Sequence, residues 1–569
     1  MFDANATLGR HWPFLIVAVI GAVLIFTNLG SGYLWADEGD TAVLAQNIVK
    51  FGVPRAWDGK TFMDSDFGAR VNSDLVMVSS PWLQYYVVAS SFAIFGKSTF
   101  AARFPFALAG WLTIFLAYRL VWTATGDRRA ALCASILMIS SVQFLLFCRQ
   151  SRYYALAMFL TCLLIEIFPQ MRSLSRALAF GTIAVLLFHA HPIGIAPVLA
   201  LGALTLVHSG FSAQRRWYWL SLPAILALTT PWFLQARTGY TENTVLAPSI
   251  RDFFLRLAQC LVECASVTPA IGIIVLFLIV LAVVPAGQRF QSPERVLLFT
   301  ILTIAASLVL GAVVTERSAS LWVTGVRYIS AIIPLLAIAT GLLILKVSRG
   351  RTIILALIVA VFTLTKFAQI TPWALWANKN PDWSDKNHDL EEKLVNLHAP
   401  INSIDAFLAR EDLFFVRDLF RKNTGTLGES VEFLRQHAAP NDVVITNYES
   451  EPLYFHTGLP QGLKITKQDP IYDTARSRGL PEYIFTVDDT RWVVWRFSWD
   501  DYLGFRWPEV AQHLAQEGGQ VSEVAQLKET GWENRENIHF HRFSGDLFLF
   551  SRATALQPTK IFRVDWLSQ

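Results

Sequence analysis

Charge is scarce in this chain. Only 16% of its 569 residues are Asp, Glu, Lys or Arg, where a soluble protein carries about 25%, and the shortfall excludes an ordinary run of soluble domains. Cysteine is sparse as well: Cys133, Cys148, Cys162, Cys260 and Cys264 all precede residue 270, in or beside apolar segments. The C-terminal third therefore needs no disulfide, and Cys260 with Cys264 reads as one helix face, since no His or further Cys stands at ligand spacing. No glycine-rich phosphate fingerprint marks the tail, which argues against a nucleotide site there. An excess of one charge sign is missing too. The formal net charge is +4, and the basic residues fall in short clusters between apolar runs, so they read as topology signals and not as a nucleic-acid surface.

What is abundant is apolar sequence. Hydrophobic residues make up 53% of the chain, and runs of membrane length recur from residue 13 to about 370. Beyond that point polar residues return at ordinary frequency, dividing the chain into a membrane part, 1–370, a connector, 371–427, and a soluble part, 428–569. Trp12 to Leu29 has no A-x-A cleavage site after it and many apolar runs follow, so it reads as a retained first span. Further spans are expected near 103–122, 130–148, 153–168, 177–190, 193–208, 217–235, 269–285, 295–314, 327–346 and 351–370. An amphipathic interfacial helix is expected at 249–265. In the tail, GESVEFLRQH and PEVAQHLAQE have helical periodicity, whereas VVIT, RWVVWRF, ENIHFHRF and DLFLFSR read as strands. That alternation predicts a small α/β domain.

The segment PWLQYYVVASSFAIFG, 81–96, decides the topology. If it does not cross, the loops TATGDRR, QMRSLSR, HSGFSAQRR, AGQRFQSPER and KVSRGR all face the cytoplasm, each with at least two basic residues. If it crosses, all five face outward, against the positive-inside bias. The expected architecture is therefore a polytopic α-helical membrane protein of about 11 spans. In it, 81–96 is a juxtamembrane or re-entrant element, and the α/β tail is extracytoplasmic.

The outer segments hold the chemistry-bearing residues. Asp37, Glu38 and Asp40 follow the first span, where carboxylates either take a proton from a hydroxyl, hold a cation or simply cap a helix. Arg149 and Arg152, with Tyr153, mark another outer end, where a guanidinium fork suits phosphate and an interfacial anchor is the alternative. His189 and His191 stand at a third, Arg327 and Tyr328 at a fourth. A divalent cation on Asp37, Glu38 and His191 is the one metal arrangement these residues suggest; His-x-His alone, without a third ligand, is weak evidence for one.

In this order the residues resemble the polyprenyl-phosphate-dependent glycosyltransferases of the GT-C class, in the superfamily of protein O-mannosyltransferases and lipid A aminoarabinose transferases (glycosyltransferase family 39). The resemblance rests on Asp37-Glu38, on Pro81, Leu83 and Tyr85 with FGKSTFAAR-FP at 95–105, on Arg152 to Leu156, on His191 to Gly194, and on Val326-Arg327-Tyr328 with Pro334. It implies a GT-C-like fold with juxtamembrane helices in the first outer loop. It also implies an inverting transfer from a polyprenyl-phosphate-linked sugar to a lipid, glycan or protein acceptor on the periplasmic face of a bacterial inner membrane. Asp37 is then the base and Glu38 its neighbour, with Arg152 and Arg327 on the lipid phosphate. One departure stands out: aminoarabinose transferases have an acidic-Lys-Pro sequence where this chain has Ser79-Ser80-Pro81, leaving Lys60 as a replacement cation at a different spacing. The competing functions are a transporter or flippase, which calls for midplane charges or broken repeats, and a noncatalytic membrane scaffold.

Overall fold

The computed structural model describes residues 4–63, 70–207, 211–236, 249–251, 253–254, 256–257, 260, 264, 292–314, 327–364, 415–416, 419–420, 425–497, 506–528 and 557–566. The N-terminal part is helical: α1 (Ala4–Phe26), α2 (Ala36–Phe51), α3 (Leu83–Phe95), α4 (Thr99–Thr125), α5 (Arg128–Ile139), α6 (Val142–Arg149), α7 (Tyr154–Ile167), α8 (Leu174–Ala190), α9 (Ile195–Val207), α10 (Ser212–Ala236), α11 (Ser292–Val314), α12 (Ile333–Val347) and α13 (Thr352–Leu364). Their ends carry local signals. Ser98 caps α4 by accepting from the Ala101 N–H at 3.1 Å, and Gly126 ends it at φ +68°, a left-handed conformation that glycine takes without strain.

Among the described residues, Thr99–Thr125 is the helix both long and apolar enough to cross a bilayer alone. Residues 130–148, expected as one span, are instead two helices, α5 and α6, bent by 68° at a short break. The break has a local cause: Ser141 turns from α5 and caps α6 by accepting from the Phe144 N–H. Segment 81–96 becomes α3, whose 13 residues extend only about 20 Å, short of the ~30 Å hydrocarbon layer. The expected span 269–285 and most of the helix at 249–265 lie outside the described residues.

The helices bury a common apolar core and leave apolar stripes outward. On α1, Ile16, Val19, Ile20 and Val23 are exposed; on α13, so are Ile353, Leu357, Val361 and Leu364. Such stripes at helical spacing suit lipid, not water. Inside, the backbones come close enough that a Cβ on Gly110 would lie 2.2 Å from Cys148 Sγ.

The tail contains α14 (Gly425–His437), β1 (Val443–Thr446), α15 (Ser450–Thr457), α16 (Tyr472–Ser477), β2 (Thr490–Arg496), α17 (Trp507–Gln516), β3 (Gly519–Leu527) and β4 (Thr559–Trp566). The sheet order is β1-β2-β4-β3, with β1 and β2 parallel and the remaining pairs antiparallel. On β2, Trp492 and Val494 pack toward α14 and α15, while Val493 and Trp495 pack toward α17. This two-sided covering explains why RWVVWR is nearly all apolar. The expected strands ENIHFHRF and DLFLFSR fall outside the described residues, and β3 and β4 are strands the periodicity did not single out.

The tail is fastened to the loop between α2 and α3. Ala56, Phe62, Val71 and Leu75 share one apolar cluster with Ile465, Ile471, Leu480, Ile484 and Phe485. Tyr454 donates to Asp58, Tyr483 donates to the Lys60 carbonyl at 2.7 Å, and Arg478 pairs with Asp74 at 2.7 Å. At the entry to α2, the Leu34 N–H donates to His456 Nε2 at 3.1 Å, and Tyr33 donates to Glu432.

Candidate functional site

The site is built on the first turn of α2. Glu38 is completely buried and its carboxylate is fully engaged: Arg103 Nε donates to one oxygen at 2.9 Å, Arg103 Nη2 to the other at 2.6 Å, and the Ser151 N–H at 2.7 Å. It also accepts from the Trp35 N–H at 3.4 Å, closing the helix start. Arg103 spends its remaining donors on the Leu29 and Tyr33 carbonyls, at 3.3 and 3.1 Å. Buried Gln84, the polar residue that stood out in 81–96, accepts from the Tyr153 N–H at 3.2 Å. Glu38 and Gln84 thus hold the turn from Gln150 to Tyr153 by its backbone, on both sides of Arg152.

That turn aims Arg152 at Asp37. Arg152 Nη2 lies 3.3 Å from Asp37 Oδ2, while Nη1 lies 3.3 Å from the Asp37 carbonyl and 3.4 Å from Thr41 Oγ1. The Asp37 side chain keeps 28% of its surface exposed, so its carboxylate is both ion-paired and reachable from solvent.

A second group adjoins it. The His191 and Tyr153 rings stack at 4.3 Å between centroids, Tyr153 donates to the Arg327 carbonyl at 3.2 Å, and the Arg327 guanidinium lies 4.5 Å from the Tyr328 ring centroid. Burial, with Arg152 and Arg327 nearby, pushes the His191 imidazole down to about 3, so it is neutral at physiological pH. Its buried Nδ1 has no hydrogen-bond partner. Two arginines, two tyrosines and a neutral histidine here form a cationic, aromatic cluster, and guanidinium groups of this kind suit a phosphate monoanion.

Three of the residues expected on the lipid phosphate lie elsewhere. Arg149 is buried and donates to the Ile25 and Thr27 carbonyls, both at 2.9 Å, closing the C-terminal end of α1. Half-buried His189 approaches the Leu228 carbonyl of α10 at 3.2 Å. Lys60 is exposed in a turn whose N–H groups are taken by Asp58. Nor do Asp37, Glu38 and His191 assemble as metal ligands: Glu38 is consumed by Arg103 and Ser151, and among the described residues no group of three His, Cys, Asp or Glu is placed to hold an ion. The sequence reading missed Arg103, although FGKSTFAAR-FP contained it; a charge just inside an apolar run was the available signal.

Comparison with known proteins places these features in context. Residues 79–234 match the family model described as dolichyl-phosphate-mannose-protein mannosyltransferase. A stretch of 133 residues is 29% identical to an uncharacterized protein of Aquifex aeolicus (strain VF5), covering 23% of this chain and 24% of that one, so the match spans about a quarter of the relative's length. The fold is similar to that of ArnT from Cupriavidus metallidurans bound to undecaprenyl phosphate, with a TM-score of 0.57 at 17% identity over 90% of this chain and 96% of that one. The apo form gives 0.55 at 16% identity, over 92% and 97%. The chain thus resembles the GT-C class in sequence through its central helices and in fold through nine-tenths of its length, and the shared fold is a helical membrane one.

Proposed function

We propose that this protein is an inverting glycosyltransferase that moves a sugar from a polyprenyl-phosphate donor to a hydroxyl of an extracytoplasmic lipid, glycan or protein acceptor. The observation that carries the reading is the Asp37–Arg152 pair, an accessible carboxylate beside the arginine and tyrosine cluster. Arg152 and Arg327 hold the lipid phosphate by charge-assisted hydrogen bonds. Asp37 takes the proton of the acceptor hydroxyl as its oxygen attacks the anomeric carbon from the face opposite the phosphate. The carbon–oxygen bond to phosphate breaks, and its electron pair leaves with the lipid phosphate, whose charge the arginines stabilise. Glu38 is a positioning residue that fixes the Arg152 turn.

The site lies on the outer face of a bacterial inner membrane in this reading. Supporting it, basic loops meet in pairs: Arg129 Nη1 donates to the Gly350 carbonyl at 2.7 Å, and Gln214 Nε2 to the Pro169 carbonyl at 2.9 Å. That clustering suits the cytoplasmic side.

The test is Asp37→Asn in the full chain, reconstituted in lipid nanodiscs. Turnover is expected to fall by the ~10²–10⁴ of a lost general base while undecaprenyl phosphate still binds. Near-normal turnover removes Asp37 from the base role.

A further inference from the structure

One carboxyl in the site has no task in the mechanism above. Asp40 lies one helical turn beyond Asp37, on the same face of α2. It is 8% exposed, yet among the described residues it forms neither a hydrogen bond nor an ion pair. The groups that act on it electrostatically are Glu451 of the tail, Asp37, Arg70 and Arg152. The approach of the tail is close: a Cβ on Gly39 would lie 2.4 Å from Cδ of Pro452, and the next tail residue toward the N-terminus, Glu451, acts electrostatically on Asp40. Glu451 is held in place, with Lys464 Nζ at 2.7 Å from one oxygen and Ser450 Oγ at 2.6 Å from the other.

We infer that Asp40, backed by the Glu451–Lys464 pair of the tail, binds hydroxyl groups of the sugar carried by the lipid donor. The inference rests on the transferase reading. Its chemistry follows from charge balance: Asp37, Asp40 and Glu451 are matched by Arg70, Arg152 and Lys464, so the group offers no net charge to an ionic ligand. It does offer carboxyl acceptors beside an ammonium donor, the combination that suits a neutral, polyhydroxylated ring. The donor sugar is favoured over the acceptor by connectivity. Its anomeric carbon is bonded to the phosphate held at Arg152, so the rest of its ring falls within a few ångströms of Asp37 and its neighbour one turn on. The acceptor needs to bring only one hydroxyl to Asp37.

The experiment measures binding of undecaprenyl phosphate, bare or carrying mannose, glucose, galactose, N-acetylglucosamine or arabinose, to the full chain in nanodiscs. The wild type is expected to bind at least one sugar-bearing lipid about ten- to a hundredfold more tightly than the bare lipid, the range of charge-assisted hydrogen bonds. Asp40→Leu should erase that margin and leave bare-lipid affinity unchanged; Asp40→Asn, which keeps shape and one acceptor, should retain part of it, and Lys464→Met should reduce it from the tail side. Four results overturn the assignment: no margin for any sugar in the wild type, a margin untouched in Asp40→Leu, equal weakening of bare and sugar-bearing lipid, or loss of transfer with donor binding intact, which gives the residue to the acceptor. Failure of the wild type to bind even bare undecaprenyl phosphate is a different outcome, and it sinks the transferase reading itself.

Discussion

Glu38→Gln separates positioning from chemistry. The substitution keeps the side chain's shape and one carbonyl oxygen, which can still accept from the Ser151 N–H. It removes the charge opposite Arg103, whose side chain is 2% exposed and whose carboxylate partner is fully buried. Breaking a buried pair by neutralising one member costs about 3–5 kcal/mol, because the other charge stays in a medium that solvates it poorly. At about 1.4 kcal/mol per tenfold, the folded-to-unfolded ratio falls by roughly two to three and a half powers of ten. The melting temperature of the nanodisc-embedded protein should drop by about 3–4 °C if the chain unfolds as one unit. Adding Arg103→Met removes the stranded charge, so the double variant should melt higher than Glu38→Gln alone. Heat unfolding measured beside single-turnover transfer decides the matter. If Glu38→Gln melts with the wild type but transfers nothing, the carboxylate acts in the reaction and the positioning role is wrong.

Further outcomes follow from the same contacts. Arg152→Ala and Arg327→Ala should each weaken undecaprenyl-phosphate binding about ten- to a hundredfold; unchanged affinity in both folded variants reduces them to membrane anchors. Gly39→Leu drives a side chain into Pro452, and overpacking of this kind costs about 1–3 kcal/mol. It should raise hydrogen exchange in α15 and at Leu34, and unchanged exchange there means the two backbones are not in contact. Burial, with Arg435, Arg103 and Lys97 nearby, pushes His456 down to about 3 from its ordinary 6.5. The unfolded chain therefore takes up a proton below about pH 6.5 that the folded protein refuses until about pH 3. Stability is lost as pH falls through that window, at about 1.4 kcal/mol per pH unit. His456→Asn should flatten this dependence in melting curves, and an identical slope in the variant excludes His456 as its source.

Local signals carried a good part of the architecture. The short apolar segment 81–96 contains a 13-residue helix, and GESVEFLRQH, VVIT, RWVVWRF and PEVAQHLAQE take the expected conformations. Each is decided by periodicity or by neighbours in sequence. The site was legible as a set of residue types at helix ends and not as a set of contacts. Arg149 and Arg152 look alike in the sequence, yet one closes α1 across 124 positions and the other meets Asp37 across 115. Asp37 and Glu38 are adjacent, but the helix turns one toward solvent and the other onto Arg103, 65 positions away. Asp40 was visible as a third carboxylate beside Asp37 and Glu38, but its surroundings depend on a tail residue more than four hundred positions later. The bend between α5 and α6 falls at Ser140 and Ser141, two small polar residues inside an otherwise apolar run.

The fastening of the tail around α2 also has a consequence in time. Leu34 meets His456 across 422 positions and Tyr33 meets Glu432 across 399, so both contacts join an early part of the chain to one synthesised near the end. At about 5–20 residues per second a ribosome needs tens of seconds to bridge that interval. Throughout it, the wall that Glu451 and Pro452 bring to α2 does not yet exist. The helical bundle can pack during this delay, while that side of α2 stays uncovered until the tail has been made and folded against it. Completion of the wall beside α2 is thus tied to completion of the polypeptide, and a product terminated before Glu451 lacks it.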